Sequence, residues 1–218
     1  MLVKVCGMTL SAQVAALDSL GVDFLGFIFA AKSPRRVTPE HVASIPRGRA
    51  KRVGVFVEQD AAEVRRIMDA AGLDLAQLHG GQDERFCEAV GPDRVVRVFW
   101  PERHARALAE AGLDADAARV RASLEAEMAR FAGACALMLL DAGTSGGGHG
   151  TSLDFAGLAG LHAPRPWLLA GGLSPANAAR AVREASPAGL DLNSGVEDAP
   201  GVKNLDMTKK TLNIIKSF

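Results

Sequence analysis

Hydrophobic residues recur along the chain as short continuous runs, and a longer amphipathic stretch follows most of them. The runs are rich in Val, Ile, Leu and Phe and mostly do not alternate with polar positions. Strands that are buried on both faces have this composition, so the pattern predicts a parallel sheet covered by helices. The predicted strands cover residues 2–6, 24–29, 52–57, 75–78, 95–99, 137–141, 167–170 and 190–192.

Helix-start and helix-stop signals stand between these runs. Pro39 follows the cap residue Thr38, Asp60 precedes an amphipathic stretch over 61–70, and Gly72 follows that stretch. Further helices are predicted over residues 11–20, over 176–184 behind Ser174-Pro175, and over 205–216.

Eight strand-then-helix units of roughly 27 residues each predict a (β/α)8 TIM barrel, near the lower size limit of that fold. No linker or change of composition divides the chain, so we expect a single domain over residues 1–218. A six-stranded doubly wound sheet is the alternative, because the same alternation builds it. The segment 101–132 predicts an enlarged fifth helical layer, in which Gly112 ends one helix and Asp114 or Asp116 caps a second.

Charge and cysteine content exclude several classes of protein. The 25 basic and 25 acidic residues give a formal charge of zero, which predicts no nucleic-acid partner. The apolar runs are too short to span a membrane, and no signal-peptide pattern opens the chain. The cysteines Cys6, Cys87 and Cys135 are odd in number and widely spaced, which fits a reducing compartment, so we expect a cytoplasmic protein.

Reactive and polar residues follow the carboxyl ends of the predicted strands, where a barrel builds its active site. This rim set contains Cys6, Arg35, His79, Asp141, Gly171, Gly172, Asp191, Ser194 and Gly195.

Several rim residues have both a structural and a functional interpretation. Cys6 is either a small core residue or a thiolate base. Asp141 ends a buried strand and is a candidate acid, whereas Asp191 could also bind loop backbone. Arg35 could form a bidentate pair with a carboxylate, and His79 is either a site residue or a satisfied loop histidine.

The glycine-containing loops after the last two strands favour a phosphate site. Gly171-Gly172 and Ser194-Gly195 let backbone N–H groups approach an anion, and barrels often bind phosphate at this place. Neither a Walker loop, an H-E-x-x-H motif nor an early G-x-G-x-x-G motif occurs, so we expect no metal and no cofactor.

Taken in chain order, these rim segments resemble the phosphoribosylanthranilate isomerase family of tryptophan biosynthesis. The resemblance runs from residue 3 to about residue 205 and is carried by Val3-Lys4-Val5-Cys6-Gly7-Met8-Thr9, Gly26-Phe27-Ile28-Phe29, Lys32-Ser33-Pro34-Arg35, Val53-Gly54-Val55-Phe56-Val57, Gln77-Leu78-His79-Gly80, Leu139-Leu140-Asp141, Leu169-Ala170-Gly171-Gly172-Leu173-Ser174-Pro175 with Asn177, Ser194-Gly195-Val196-Glu197 and Gly201-Val202-Lys203.

The resemblance implies a cofactor-independent Amadori rearrangement of N-(5-phosphoribosyl)anthranilate to 1-(2-carboxyphenylamino)-1-deoxyribulose 5-phosphate. It implies that Asp141 is the general acid, that Cys6 is the general base and that Arg35 engages the anthranilate carboxylate. The two glycine-containing loops would clamp the phosphate. A monomer and a homodimer are both compatible with the sequence.

Two alternatives stay open. A non-catalytic barrel that binds a phosphorylated ligand is one, although Cys6 and Asp141 are both retained. A related barrel isomerase of histidine biosynthesis would need aspartates at the ends of strands one and five, where this chain has Cys6 and Phe99-Trp100. The chain departs from the resembling family at Arg36, His149, Phe155 and Asn193, and in the length of the segment 114–130.

Overall fold

The structure, a computed structural model, describes residues 1–142 and 155–218. In this part of the chain eight parallel strands close into a barrel in chain order. They are β1 (Leu2–Val5), β2 (Phe24–Ile28), β3 (Lys51–Phe56), β4 (Leu75–Leu78), β5 (Val95–Phe99), β6 (Leu137–Asp141), β7 (Trp167–Ala170) and β8 (Gly189–Leu192). Because β1 pairs with both β2 and β8, the barrel prediction is confirmed and the open doubly wound sheet is wrong.

Helices surround the barrel and cover the outer faces of the strands. They are α1 (Ser11–Ser19), α2 (Pro39–Ser44), α3 (Ala61–Ala71), α4 (Glu84–Val90), α5 (Pro101–Glu110), α6 (Ala117–Arg130), α7 (Ala178–Ala185) and α8 (Leu205–Lys216). Short 3-10 turns lie at Pro92–Arg94, Ala156–Leu158 and Ser194–Val196, and the strands β9 (Glu197–Ala199) and β10 (Val202–Lys203) form a small hairpin.

The core has two layers because successive side chains of a strand point to opposite faces. Side chains that point outward from the barrel pack against the helices, as Phe27 and Phe56 do. Side chains that point inward fill the barrel, where Phe24, Val53 and Leu139 belong to one buried cluster. The barrel interior is therefore a packed core below its mouth, and a site can form only at an end.

The enlarged segment between β5 and β6 contains the two predicted helices. Asp116 caps α6 by accepting a hydrogen bond from the backbone N–H of Arg119, which decides between the two candidate caps. His104 of α5 lies 2.9 Å from Ser123 Oγ and 2.9 Å from Glu127 Oε2 of α6. These contacts join the two helices to each other.

The predicted start of α7 was two residues too early. Asn177 forms a side-chain turn instead: its Oδ1 accepts from Ser174 N–H at 2.8 Å, and its Nδ2 donates to Gly172 O at 3.1 Å. The helix begins only after this turn, at Ala178. Local side-chain bonds of this kind compete with helix formation.

Candidate active site

Cys6 is the first residue beyond β1, and its side chain lies inside the mouth of the barrel. Its backbone N–H continues the pairing with β8 by donating to Leu192 O at 2.8 Å. Its thiol packs directly over Gly26 of β2, where an added Cβ would lie 2.7 Å from Cys6 Sγ. The absence of a side chain at Gly26 therefore makes room for the thiol. Ile28 and Val55 complete the small apolar cluster around it.

A buried ion pair between β1 and β8 lies next to Cys6. Lys4 Nζ donates to Asp191 Oδ2 at 2.8 Å, and Lys4 is wholly excluded from solvent. The two residues are direct register partners on β1 and β8. Asp191 Oδ1 is also buried, and among the residues that the structure describes it has no hydrogen-bond partner. Buried polar atoms normally have a partner, so this oxygen is a candidate contact for a bound molecule.

The charges around the thiol act in opposite directions. Burial raises the pKa of Cys6 above its ordinary value, and the charge of Lys4 opposes this rise without cancelling it. Burial likewise raises the pKa of Asp191; Lys4 opposes that rise and the charge of Asp141 adds to it.

The side chain of Arg35 passes over the backbone at Gly7, just beyond β1, and forms an ion pair with Glu197. Its Nε and Nη2 donate to the Glu197 carboxylate at 3.0 and 2.6 Å. Gly7 has a φ of 75°, and a Cβ there would lie 2.6 Å from Arg35 Cδ and 2.8 Å from Asn193 Oδ1. Glycine at this position thus allows both the left-handed backbone and the passage of the arginine.

Glu197 is held from its other side by a second buried lysine. Lys203 Nζ donates to Glu197 Oε1 at 2.6 Å and to Asn193 Oδ1 at 2.9 Å. Burial raises the pKa of Glu197, but the hydrogen bonds from Arg35 and Lys203 outweigh burial and leave that pKa below its ordinary value. Glu197 is therefore a carboxylate at neutral pH and fixes the guanidinium of Arg35.

His79 and Asp141 meet across the mouth. His79 Nε2 lies 3.3 Å from Asp141 Oδ2, and His79 Nδ1 lies 3.1 Å from Gln77 Nε2. When the Gln77 amide donates to Nδ1, neutral His79 carries its proton on Nε2, which faces Asp141. The edge of the imidazole packs against Trp100 with 5.4 Å between the ring centres. His79 is thus a rim residue in contact with the candidate acid.

The loops after β7 and β8 touch each other. Gly171 and Gly172 have φ values of 111° and 56°, a backbone region that favours glycine. A Cβ at Gly195 would collide with the backbone of Leu173, so the two loops pack through glycine. Ser194 and Gly195 begin a 3-10 turn, whose first N–H groups have no partner within the turn.

Sequence reasoning found the rim but missed residues that hold it together. Lys4, Gln77, Glu197 and Lys203 all lie in segments that were singled out, yet no role was expected for them. For Lys4 a signal was present, because a lysine at an inward position of an apolar strand needs a buried partner. His149 and the rest of residues 143–154 lie outside the described residues.

A protein-family model and the curated relatives of this chain identify one family. The family model described as "N-(5'phosphoribosyl)anthranilate (PRA) isomerase" matches residues 3–214. The chain belongs to this family. Within the family, the N-(5'-phosphoribosyl)anthranilate isomerase of Desulfovibrio desulfuricans is 52% identical over 204 residues, covering 94% of this chain and 90% of that protein.

Solved structures of the PRA isomerase family share the fold. The phosphoribosyl anthranilate isomerase of Thermotoga maritima matches with a TM-score of 0.78 and 27% identity, covering all of both chains. A family member in complex with reduced 1-(o-carboxyphenylamino)-1-deoxyribulose 5-phosphate matches with a TM-score of 0.74 and 26% identity, again over all of both chains.

In residues 1–142 and 155–218, no helix is long and apolar enough to cross a membrane. In the same ranges, no group of three or more His, Cys, Asp and Glu side chains is arranged to hold a metal ion.

Proposed function

We propose that the chain catalyses the Amadori rearrangement of N-(5'-phosphoribosyl)anthranilate in tryptophan biosynthesis, with Asp141 as general acid and Cys6 as general base. The observation that carries the proposal is the convergence of both residues on one barrel mouth. Cys6 directly follows β1, where Lys4 is paired with Asp191 of β8, and Asp141 is the last residue of β6, at the same end of the parallel barrel. A small molecule in this mouth would meet an acid and a base at the same time.

The first step opens the sugar ring. Protonated Asp141 gives its proton to the ribose ring oxygen as the C1–O bond breaks, and the nitrogen lone pair forms an iminium. The resulting Asp141 carboxylate lies 3.3 Å from His79 Nε2, which can donate a hydrogen bond to it. A hydrogen bond to the charged form stabilises the acid after it has lost its proton.

The second step removes the proton from C2 of the open sugar. The thiolate of Cys6 takes this proton, and the electron pair of the C–H bond moves towards the iminium to give an enolamine. The positive iminium acidifies the C2 proton, so a moderate base suffices. Tautomerisation of the enolamine then gives the ketose product, and the net reaction consumes no cofactor.

Three groups are proposed to hold the substrate. Glu197 engages the Nε and Nη2 edge of Arg35, so a substrate carboxylate would be bound from the Nη1 side. The N–H groups of the touching loops at Gly171-Gly172 and Ser194-Gly195 would bind the phosphate. Asp191 Oδ1, which has no hydrogen-bond partner within the described part of the chain, would accept a hydrogen bond from a sugar hydroxyl.

The test measures the loss of phosphoribosylanthranilate fluorescence with freshly made substrate. Cys6→Ser and Asp141→Asn should each lower kcat by about 10²–10⁴-fold, the usual contribution of a general acid or base. Cys135→Ser is the matched control, because Cys135 is a buried thiol outside the barrel mouth and should leave kcat unchanged.

Two outcomes would overturn the proposal. Folded Cys6→Ser or Asp141→Asn protein with wild-type kcat would remove that residue from its role. Folded wild-type protein that is inert but is stabilised against heat by a phosphorylated substrate analogue would instead support the non-catalytic binding barrel. The homodimer or monomer state and the cytoplasmic location stay predictions.

A further inference from the structure

Lys4 is a buried cation to which the reaction steps above assign no role. Its side chain is fully excluded from solvent, and its ammonium donates to Asp191 Oδ2 at 2.8 Å. Lysine is almost never fully buried unless a partner stabilises its charge. The pair is costly to place inside a barrel, where apolar side chains of similar size would pack without desolvating two charges.

The position of Lys4 on β1 decides where its charge acts. Lys4 and Cys6 are two residues apart, and side chains two apart on a strand point to the same face. Both therefore point into the barrel, Lys4 one layer below Cys6. Gly26 lets the thiol lie flat against β2 at this level.

We propose that Lys4 is a positioning residue of the isomerisation, whose ammonium, oriented by Asp191, stabilises the Cys6 thiolate inside the barrel mouth. This inference rests on the role proposed for Cys6 as the base. A thiol buried among Ile28 and Val55 resists ionisation, because a low-dielectric surrounding disfavours the charged form. The fixed ammonium of Lys4, which lies on the same face as Cys6, offsets this penalty and stabilises the thiolate.

The other charged groups around Cys6 do not replace Lys4. Asp191 raises the pKa of the thiol, and Lys203 lowers it by less than Lys4 does. Lys203 binds Glu197 and Asn193, and Arg35 binds Glu197 through its Nε and Nη2. Lys4 precedes Cys6 by two residues on the same face of the chain, and among these cations it has the largest lowering effect on the pKa of the thiol.

Ionisation of Cys6 can be read directly from thiolate ultraviolet absorbance during a pH titration, with Cys6→Ser protein as the blank. The chain contains no Tyr, so no phenolate adds to the signal. The pKa of Cys135 is raised to about 11 and that of Cys87 to about 12, so these thiols ionise only at high pH. Both are present in the Cys6→Ser blank, so subtracting the blank removes their signal.

Lys4→Met should raise the midpoint of the Cys6 titration by about one pH unit or more, which reduces the thiolate fraction about tenfold. At neutral pH, kcat should fall by a similar factor while KM stays within about twofold, and kcat should recover as pH rises. Lys4→Arg keeps the charge and should restore most of both readouts. If Lys4→Met does not fold, Lys4→Met/Asp191→Asn leaves no unpaired buried charge and is used for the titration alone.

The outcomes separate the inference from the proposed function. A folded Lys4→Met protein whose Cys6 midpoint equals the wild-type value overturns the inference, as does a shifted midpoint with an unchanged pH profile of kcat. Wild-type turnover in Cys6→Ser would instead overturn the proposed base, whatever Lys4 does to the midpoint. A shifted midpoint, a matching loss of kcat and rescue by arginine support the inference.

Discussion

The two ends of the barrel use their charged side chains in different ways. At the amino end, aspartates accept hydrogen bonds from backbone N–H groups: Asp18 Oδ1 accepts from Arg49 and Ala50, and Asp23 Oδ2 accepts from Val3, each at 2.7 Å. At the carboxyl end, the buried carboxylates of Asp191 and Glu197 instead face the cationic side chains of Lys4 and Arg35.

This difference teaches that the presence of charge in a concave surface does not by itself mark a site. A cavity of about 500 Å³ lies at the amino end and is lined in part by Asp18, Asp23, Arg49 and Lys51. Its aspartates are already used to hold loops onto strands. At the carboxyl end, Asp191 Oδ1 has no hydrogen-bond partner among residues 1–142 and 155–218, and a buried thiol lies beside a cation. Neither feature is needed to hold the fold together.

Among the variants that test this comparison of the two ends, the largest effect is expected from removing the charge of Arg35. Arg35→Met should lower kcat/KM by about 100-fold, chiefly through KM, because hydrogen bonds between charged groups contribute about 1.5–3 kcal/mol. Arg36→Met is the matched control, since Arg36 is the exposed neighbour of Arg35 in the same loop. Steady-state kinetics of both variants checks this, and an equal loss in both would contradict a specific role for Arg35.

A somewhat smaller effect is expected from filling the space beneath the thiol. In Gly26→Ala the new Cβ would lie 2.7 Å from Cys6 Sγ, so the thiol must move. We expect kcat to fall by about 10-fold or more, since small displacements of a reacting group are costly. Gly133→Ala, where a Cβ meets nothing within 4 Å, should leave kcat unchanged. Normal turnover in Gly26→Ala would show that the position of the thiol is unimportant.

The Glu197→Gln variant tests how the carboxyl end holds Arg35. Because the charged hydrogen bonds weaken, we expect KM to rise by about 3–10-fold. The pKa of Glu197 is lower in the folded protein than its ordinary value. The Glu197 carboxylate therefore stabilises the fold at pH values above the ordinary pKa, and this stabilisation is lost as the pH falls through the lowered pKa. Urea unfolding from neutral to acid pH should therefore show a weaker acid-side loss in Glu197→Gln than in wild type. An identical pH dependence in both proteins would contradict the assigned role of this ion pair in stability.

The smallest effect on activity is expected at the amino end. Asp23→Ala removes the acceptor of Val3 N–H and should lower the free energy of unfolding by about 1–3 kcal/mol. Its kcat/KM should stay within about twofold of wild type, because the amino end of a barrel contributes to stability. Urea unfolding and turnover are measured on the same preparation. A large loss of turnover in folded Asp23→Ala protein would erase the distinction between the two ends.

Much of the fold could be predicted from local pattern. The bounds of β4 to β7 and of α8 coincide with the predicted ranges, because the hydrophobic pattern of these segments is strong. The start of α7 could not be predicted from the Ser-Pro signal, since the turn depends on two side-chain hydrogen bonds of Asn177.

The candidate site likewise has features that the sequence predicts and features that it does not. The rim residues could be predicted because a barrel brings its strand ends together. Their pairings could not, because Arg35 and Glu197 are 162 positions apart and Lys4 and Asp191 are 187 apart. The register between β1 and β8 cannot be deduced from local periodicity, because these two strands pair only when the barrel closes.

The Lys4–Asp191 pair also bears on how the chain folds. It links the first strand of the barrel to the last, so it can form only when the ring closes. Contacts between such distant residues form late because loop closure costs entropy. Until then a collapsed partial barrel would enclose a lone ammonium or a lone carboxylate, which is strongly unfavourable. The ion pair therefore penalises incomplete barrels and favours the complete one during assembly.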